Sequence, residues 1–180
     1  MKNLLFVLLT LGFLFTATDR ADAQWSIGAS YETRNEDPTN GFGLRVERSI
    51  LSAVPVVDFN MRAHFSFFND DALITRDEQE FSGEVEAYDY GLALTAGVGI
   101  ALVKPYVGLG IGAETYDFQG DSGGGFDENN LFWNGFGGVE LQLLPMLRPF
   151  IEYRISNISG AEEIDFDNVS RFAFGLSLRF

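Results

Sequence analysis

The sequence has no cysteine and one histidine, which excludes disulfide frameworks, thiolate chemistry and the commoner zinc sites. Only 12 of 180 residues are Lys or Arg against 26 Asp or Glu, and a net charge of -14 leaves no basic face for nucleic acid. Long apolar runs are scarce as well. The best internal candidate for a membrane helix, Gly91 to Val103, is short and rich in Gly, Thr, Val and Ile, so it cannot cross a bilayer as a helix. What is present is 46% apolar residues, 20 Gly, 18 Phe, 6 Tyr and 2 Trp, a composition that excludes disorder and fits one folded unit.

The N-terminus reads as a secretory signal peptide over residues 1–23. Lys2 supplies the positive region, Leu4 to Phe15 the apolar region, and Ala21-Asp22-Ala23 the small-x-small cleavage site, so the mature domain is expected to span 24–180 and begin at Gln24. The apolar stretch covers only about 18 Å as a helix, against about 30 Å of hydrocarbon.

The rest of the chain alternates with a period of two, the mark of strands with one apolar and one small or polar face. Eight such strands are predicted. The first runs about Trp25 to Thr33, the second Gly41 to Ile50, the third Val56 to Phe68, and the fourth Tyr88 to Ile100. The fifth opposes Val107, Leu109 and Ile111 to Tyr106, Gly108, Gly110 and Gly112. The sixth, about Leu131 to Leu143, is irregular near Gly137-Gly138, where a bulge and a change of phase are expected. The seventh is built on Ile151 to Ser156 and the eighth on Arg171 to Phe180.

The connections alternate in character. Long polar ones (Arg34 to Asn40, Asn69 to Glu84, Asp117 to Asn130, Asn157 to Asn168) alternate with short ones near Pro55, Pro105 and Pro149. Transmembrane barrels have this asymmetry, with short periplasmic turns and long extracellular loops. An even strand count then places both termini in the periplasm. Aromatics at the strip ends make two girdles: Trp25, Tyr106 and Phe180 on the periplasmic side, and Tyr31, Phe42, Phe67, Tyr88 and Trp133 outside. Glycines 91, 97, 99, 108, 110 and 112 leave lumenal space for long side chains from the opposite wall.

The signal peptide, the eight strands, the segment Tyr106-Val-Gly-Leu-Gly-Ile-Gly and the terminal Arg171-Phe-Ala-Phe-Gly-Leu-Ser-Leu-Arg-Phe180 resemble the small eight-stranded outer-membrane barrels of the OmpA transmembrane-domain and OmpX type. The resemblance covers the whole mature chain. It implies an all-β antiparallel transmembrane barrel in a bacterial outer membrane, monomeric, among outer-membrane lipid and lipopolysaccharide. It also implies that Phe172, Phe174, Leu176, Leu178 and Phe180 form the insertion signal read by the barrel-assembly machinery. Family members are structural, adhesive, resistance-conferring or enzymatic, so fold alone does not settle function.

Eight strands leave an interior that side chains fill. The inward parity carries Glu32, Glu47, Asp58, Asp89, Glu114 and Glu152 against Arg45, Arg62, Arg154, Arg171 and Arg179, with His64 among them and Glu140 undecided because of the phase change. Near-balance predicts a paired, closed lumen, since charges removed from water must be paired and hydrogen-bonded. His64 and Ser66 resemble the His-x-Ser element of outer-membrane lipid A deacylases, but Phe67, Phe68 and Asn69 replace that family's continuation, and the parity turns both residues away from lipid. The leading expectation is a non-enzymatic barrel without cofactor, acting in envelope integrity or surface interaction through its loops. A lipid A modifying enzyme and a narrow or gated channel are the alternatives. Sixteen acids lie in the long connections and carry nearly all the net charge; Asp121, Asp127, Glu128, Asp165 and Asp167 are the candidates for holding calcium.

Overall fold

The computed structural model describes residues 25–54, 57–76, 79–120, 125–144, 146–159 and 168–180. They form eight strands: β1 (Trp25–Arg34), β2 (Asn40–Val54), β3 (Val57–Arg76), β4 (Gln79–Val98), β5 (Val103–Gly120), β6 (Gly125–Leu141), β7 (Leu147–Ser159) and β8 (Asn168–Arg179). Each pairs antiparallel with its neighbour, and β8 returns to β1, giving a closed barrel without a free edge in its wall. Trp25 and Phe180 exchange both backbone hydrogen bonds at this seam.

Register sets the tilt. Following opposed residues from Trp25 through Arg48, Met61, Leu94, Leu109, Gly135, Ile155 and Ser170 returns the row to β1 at Asn35, ten residues beyond its start. A stagger of this kind is the geometric partner of a strand tilt of about 35–45°. Between β4 and β5 the turn is only Ala101-Leu102, closed by two hydrogen bonds between Ile100 and Val103, with Ala101 at a φ of 53°.

The faces are inverted relative to a water-soluble barrel. Leu109, Ile111 and Leu131 are 69–70% exposed on the outside, whereas Arg62, Arg171 and Asp89 are 1–2% exposed inside. Only a hydrocarbon surround makes that partition favourable, and a closed strand barrel is one of the two ways to cross it with every backbone group satisfied.

Three sequence expectations need correction. Strand six keeps one register with β5 from Gly125 to Leu141 and with β7 from Leu131 to Glu140, so there is no bulge at Gly137-Gly138. Its irregular pattern arises because two bulky residues, Phe132 and Phe136, point inward while Gly135 and Gly137 lie on the outer face. The register shifts fall instead in β2, between Ser49 and Leu51 and between Leu51 and Val54.

Second, the lumenal glycines make room chiefly for their neighbours rather than for the opposite wall. A Cβ at Gly108 would meet the Phe136 ring at 2.2 Å, and one at Gly112 would meet Phe132 at 2.5 Å. Third, much of the polar sequence assigned to long connections is paired strand. The β3–β4 ladder continues to Arg76 opposite Gln79, and the β5–β6 ladder to Gln119 opposite Gly125. Acidic residues disfavour strands in isolation, but a ladder already nucleated in the barrel carries on through them.

Candidate functional site

Four cross-lumen ion pairs tie together strands that stand opposite each other in the eight-strand ring. Arg34 of β1 meets Glu114 of β5 at 2.5 Å, and Arg62 of β3 meets Glu152 of β7 at 2.5 Å. Arg171 of β8 bonds Asp89 of β4, and Arg45 of β2 approaches Glu140 of β6 at 3.9 Å. Every diameter of the ring is spanned.

Glu152 is the hub of the middle layer. It accepts from Arg62, from Tyr106 Oη at 2.9 Å and from Arg154 Nη2 at 2.8 Å, while Arg45 Nη1 stands 3.6 Å away. Arg62 also donates to Glu47 at 2.7 Å. Aromatic rings back the guanidiniums: Arg45 stacks on Phe150 at 3.4 Å, and Arg62 and Arg154 both lie against Phe136. Such stacking is worth about 2 kcal/mol when desolvated. This is why large aromatics occupy inward positions next to glycines.

Toward the end where β3 and β4 project, Arg171 bridges Glu32 at 3.2 Å and Asp89. Above it Arg34 closes the lumen. Its Nε donates to the carbonyls of Pro38 and Glu36, its Nη2 to that of Asp37, and its guanidinium face lies on Phe68. Toward the short-connection end, Lys104 pairs with the half-exposed Asp58 at 2.7 Å, and Arg148 with Glu140 at 2.9 Å. A cavity of about 20 Å³ lies there among Glu47, Asn60, Lys104, Glu140 and Arg179, room for roughly one water.

The residues singled out in the sequence divide as follows. Glu32, Arg45, Arg62, His64, Glu114, Glu152, Arg154 and Arg171 are buried in the lumen, Glu47 is nearly so, and Asp58 and Arg179 lie at the mouth. Glu140, whose direction the sequence leaves open, points inward. Tyr106, assigned to the girdle, is lumenal, because it shares the parity of Gly108 and Gly110. Arg34, Lys104 and Arg148 join the network without having been singled out, although each continues the inward parity of its strand by one more step.

His64 and Ser66 are 6% and 1% exposed inside the barrel. His64 Nε2 lies 3.5 Å from Asp89 Oδ1, and neither ring nitrogen has a hydrogen-bond partner among the described residues. Of the calcium candidates, Asp121, Asp165 and Asp167 lie outside the described residues. Asp127 opposes Asp117 in the β5–β6 ladder, and Glu128 accepts from Asn130. No group of three or more metal-binding side chains gathers among the described residues. Phe172, Phe174, Leu176 and Leu178 are exposed on the outer face of β8, and the terminal Phe180 is half-buried.

An eight-stranded antiparallel barrel with an apolar exterior and an ion-paired lumen is an integral outer-membrane barrel by architecture. The family described as "Outer membrane protein beta-barrel domain" matches residues 5–180, and the chain belongs to it. Its place is the bacterial outer membrane. No curated protein shows significant sequence similarity to the chain.

Solved structures share the fold at low identity. Neisserial surface protein A is 13% identical with a TM-score of 0.62, covering 90% of this chain and 100% of its own. A major outer membrane protein from Thermus thermophilus is 14% identical with a TM-score of 0.66, covering 89% and 100%. Ail, the attachment invasion locus protein of Yersinia pestis, is 17% identical with a TM-score of 0.56, covering 87% of this chain and 97% of its own.

Proposed function

We propose that this barrel is a non-enzymatic surface protein whose lumen is closed and whose work is done by the sheet projecting beyond it. One observation carries the reading: among the described residues β3, β4, β5 and β6 outrun the rest of the wall. Among the described residues β3 pairs with β2 as far as Phe68 and runs on from 69 to 76, and β6 pairs with β7 from Leu131. Beyond the barrel wall these four strands continue as a sheet rich in acids such as Asp70, Asp71, Glu84 and Glu86. A sheet that stands clear of the barrel wall offers its outer strands to pairing with other chains.

Orientation follows the loop asymmetry: the sheet stands outside the cell, and the termini and short connections face the periplasm. Cleavage after Ala23 and recognition of β8 by the barrel-assembly machinery belong to the same reading. The spanning ion pairs close the barrel and serve no transport. A deacylase role finds no support in the position of His64 and Ser66, which are turned away from lipid, and the nearby Asp89 carboxylate is engaged by Arg171.

The test replaces residues 70–85 with a short Gly-Ser turn, leaving the barrel strands intact. Cells carrying the trimmed protein should lose adherence to protein-coated surfaces while keeping wild-type outer-membrane permeability. Unchanged adherence would refute the surface role, and altered permeability would point to a lumenal one.

A further inference from the structure

Between the short connections and the aromatic row of Tyr31, Tyr88 and Trp133, the outer face of the described strands carries one charged side chain, Arg48. On β2 it follows Phe42, Leu44 and Val46 on the outer face and precedes Ile50. In the ladder it stands directly between Trp25 of β1 and Met61 of β3, both exposed. Its guanidinium carbon lies 5.2 Å from the centre of a Trp25 ring. No carboxylate among the described residues pairs with it, whereas the buried lumenal arginines are ion-paired.

A cation on the outer wall is tolerated where its head reaches the interface while its methylene stem covers apolar surface. Trp25 marks that level. It is the first residue of β1, it is hydrogen-bonded to the terminal Phe180, and indoles concentrate at the headgroup boundary. With the ring on one side and no ion pair among the described residues, the N–H donors of this exposed guanidinium are available to a lipid phosphate. That fork matches a phosphate bidentately, which an ammonium does not.

We propose that Arg48 and Trp25 form a binding site for the headgroup of an anionic phospholipid in the leaflet at the short-connection end of the barrel. Arg48 bonds the phosphate, and Trp25 holds the guanidinium at headgroup depth against the glycerol region. A zwitterionic lipid offers the same phosphate but brings its own cation toward Arg48, so the site discriminates by net charge.

The test uses the refolded full barrel in bilayers containing trace spin-labelled phosphatidylglycerol or phosphatidylcholine. Wild type should retain phosphatidylglycerol with about fivefold preference at one site per barrel, the effect of one base near the membrane surface. Arg48→Gln should abolish the preference, and Arg48→Lys should keep part of it, with folding of each variant checked by heat-modifiable gel migration. Equal retention of the two lipids by wild type, or an undiminished preference in Arg48→Gln, would overturn the proposal. Displacement by excess inorganic phosphate would reassign the site to a free anion and overturn it too. A symmetric bilayer presents the same lipid to both ends of the barrel, so the result does not depend on the orientation proposed above.

Discussion

Arg62 and Glu152 come from strands on opposite sides of the barrel and meet at 2.5 Å, both almost wholly buried. Breaking a buried pair on one side leaves an uncompensated charge, at a cost of about 3–5 kcal/mol. Glu152→Gln leaves Arg45, Arg62 and Arg154 around a neutral amide and should destabilise the barrel by that amount in urea unfolding from lipid vesicles. Removing Arg62 as well, in Arg62→Met with Glu152→Gln, should recover part of that loss, because one uncompensated charge fewer remains beside the amide.

Gly108 and Phe136 form the second dependency. Gly108→Ala drives a Cβ into the ring and should cost about 1–3 kcal/mol, the usual range for overpacking. Adding Phe136→Leu should recover part of that loss. Equal stabilities of the single and double variants in the same unfolding assay would show that the ring is not the obstacle.

Sequence legibility followed local rules. Parity along each strand placed Arg45, Arg62, Arg154 and Arg171 on one face because side-chain direction in a strand depends only on position. Parity failed at Phe132 and Phe136, where hydrophobicity contradicted direction: their rings are needed inside, against glycines and guanidiniums of other strands. No local pattern shows that need. The ends of β3 to β6 were hidden for a related reason, since their pairing is inherited from the barrel and not from the propensity of Asp and Glu. The cross-lumen partners depend on register and tilt, which join Arg34 to Glu114 across 80 residues of chain.

His64 tests the enzymatic alternative. His64→Ala should leave the acyl pattern of lipid A unchanged by mass spectrometry. Retention in the mutant of an acyl chain that wild-type cells remove would restore the deacylase reading.

Orientation is open to labelling, because the chain lacks cysteine. On intact cells a membrane-impermeant maleimide should label Thr75→Cys, near the end of β3, and should miss Leu102→Cys, in the β4–β5 turn, until the outer membrane is permeabilised. The reverse pattern would invert the topology.

On the proposed reading, the ion pairs that span all four diameters close the lumen and the projecting sheet is the working part. Planar-bilayer recording of the refolded barrel reads that closure without any substitution. Wild type should show no steady open-channel current. Large, long-lived conductance from the wild-type barrel would mean that the lumen is open and the ion pairs do not seal it.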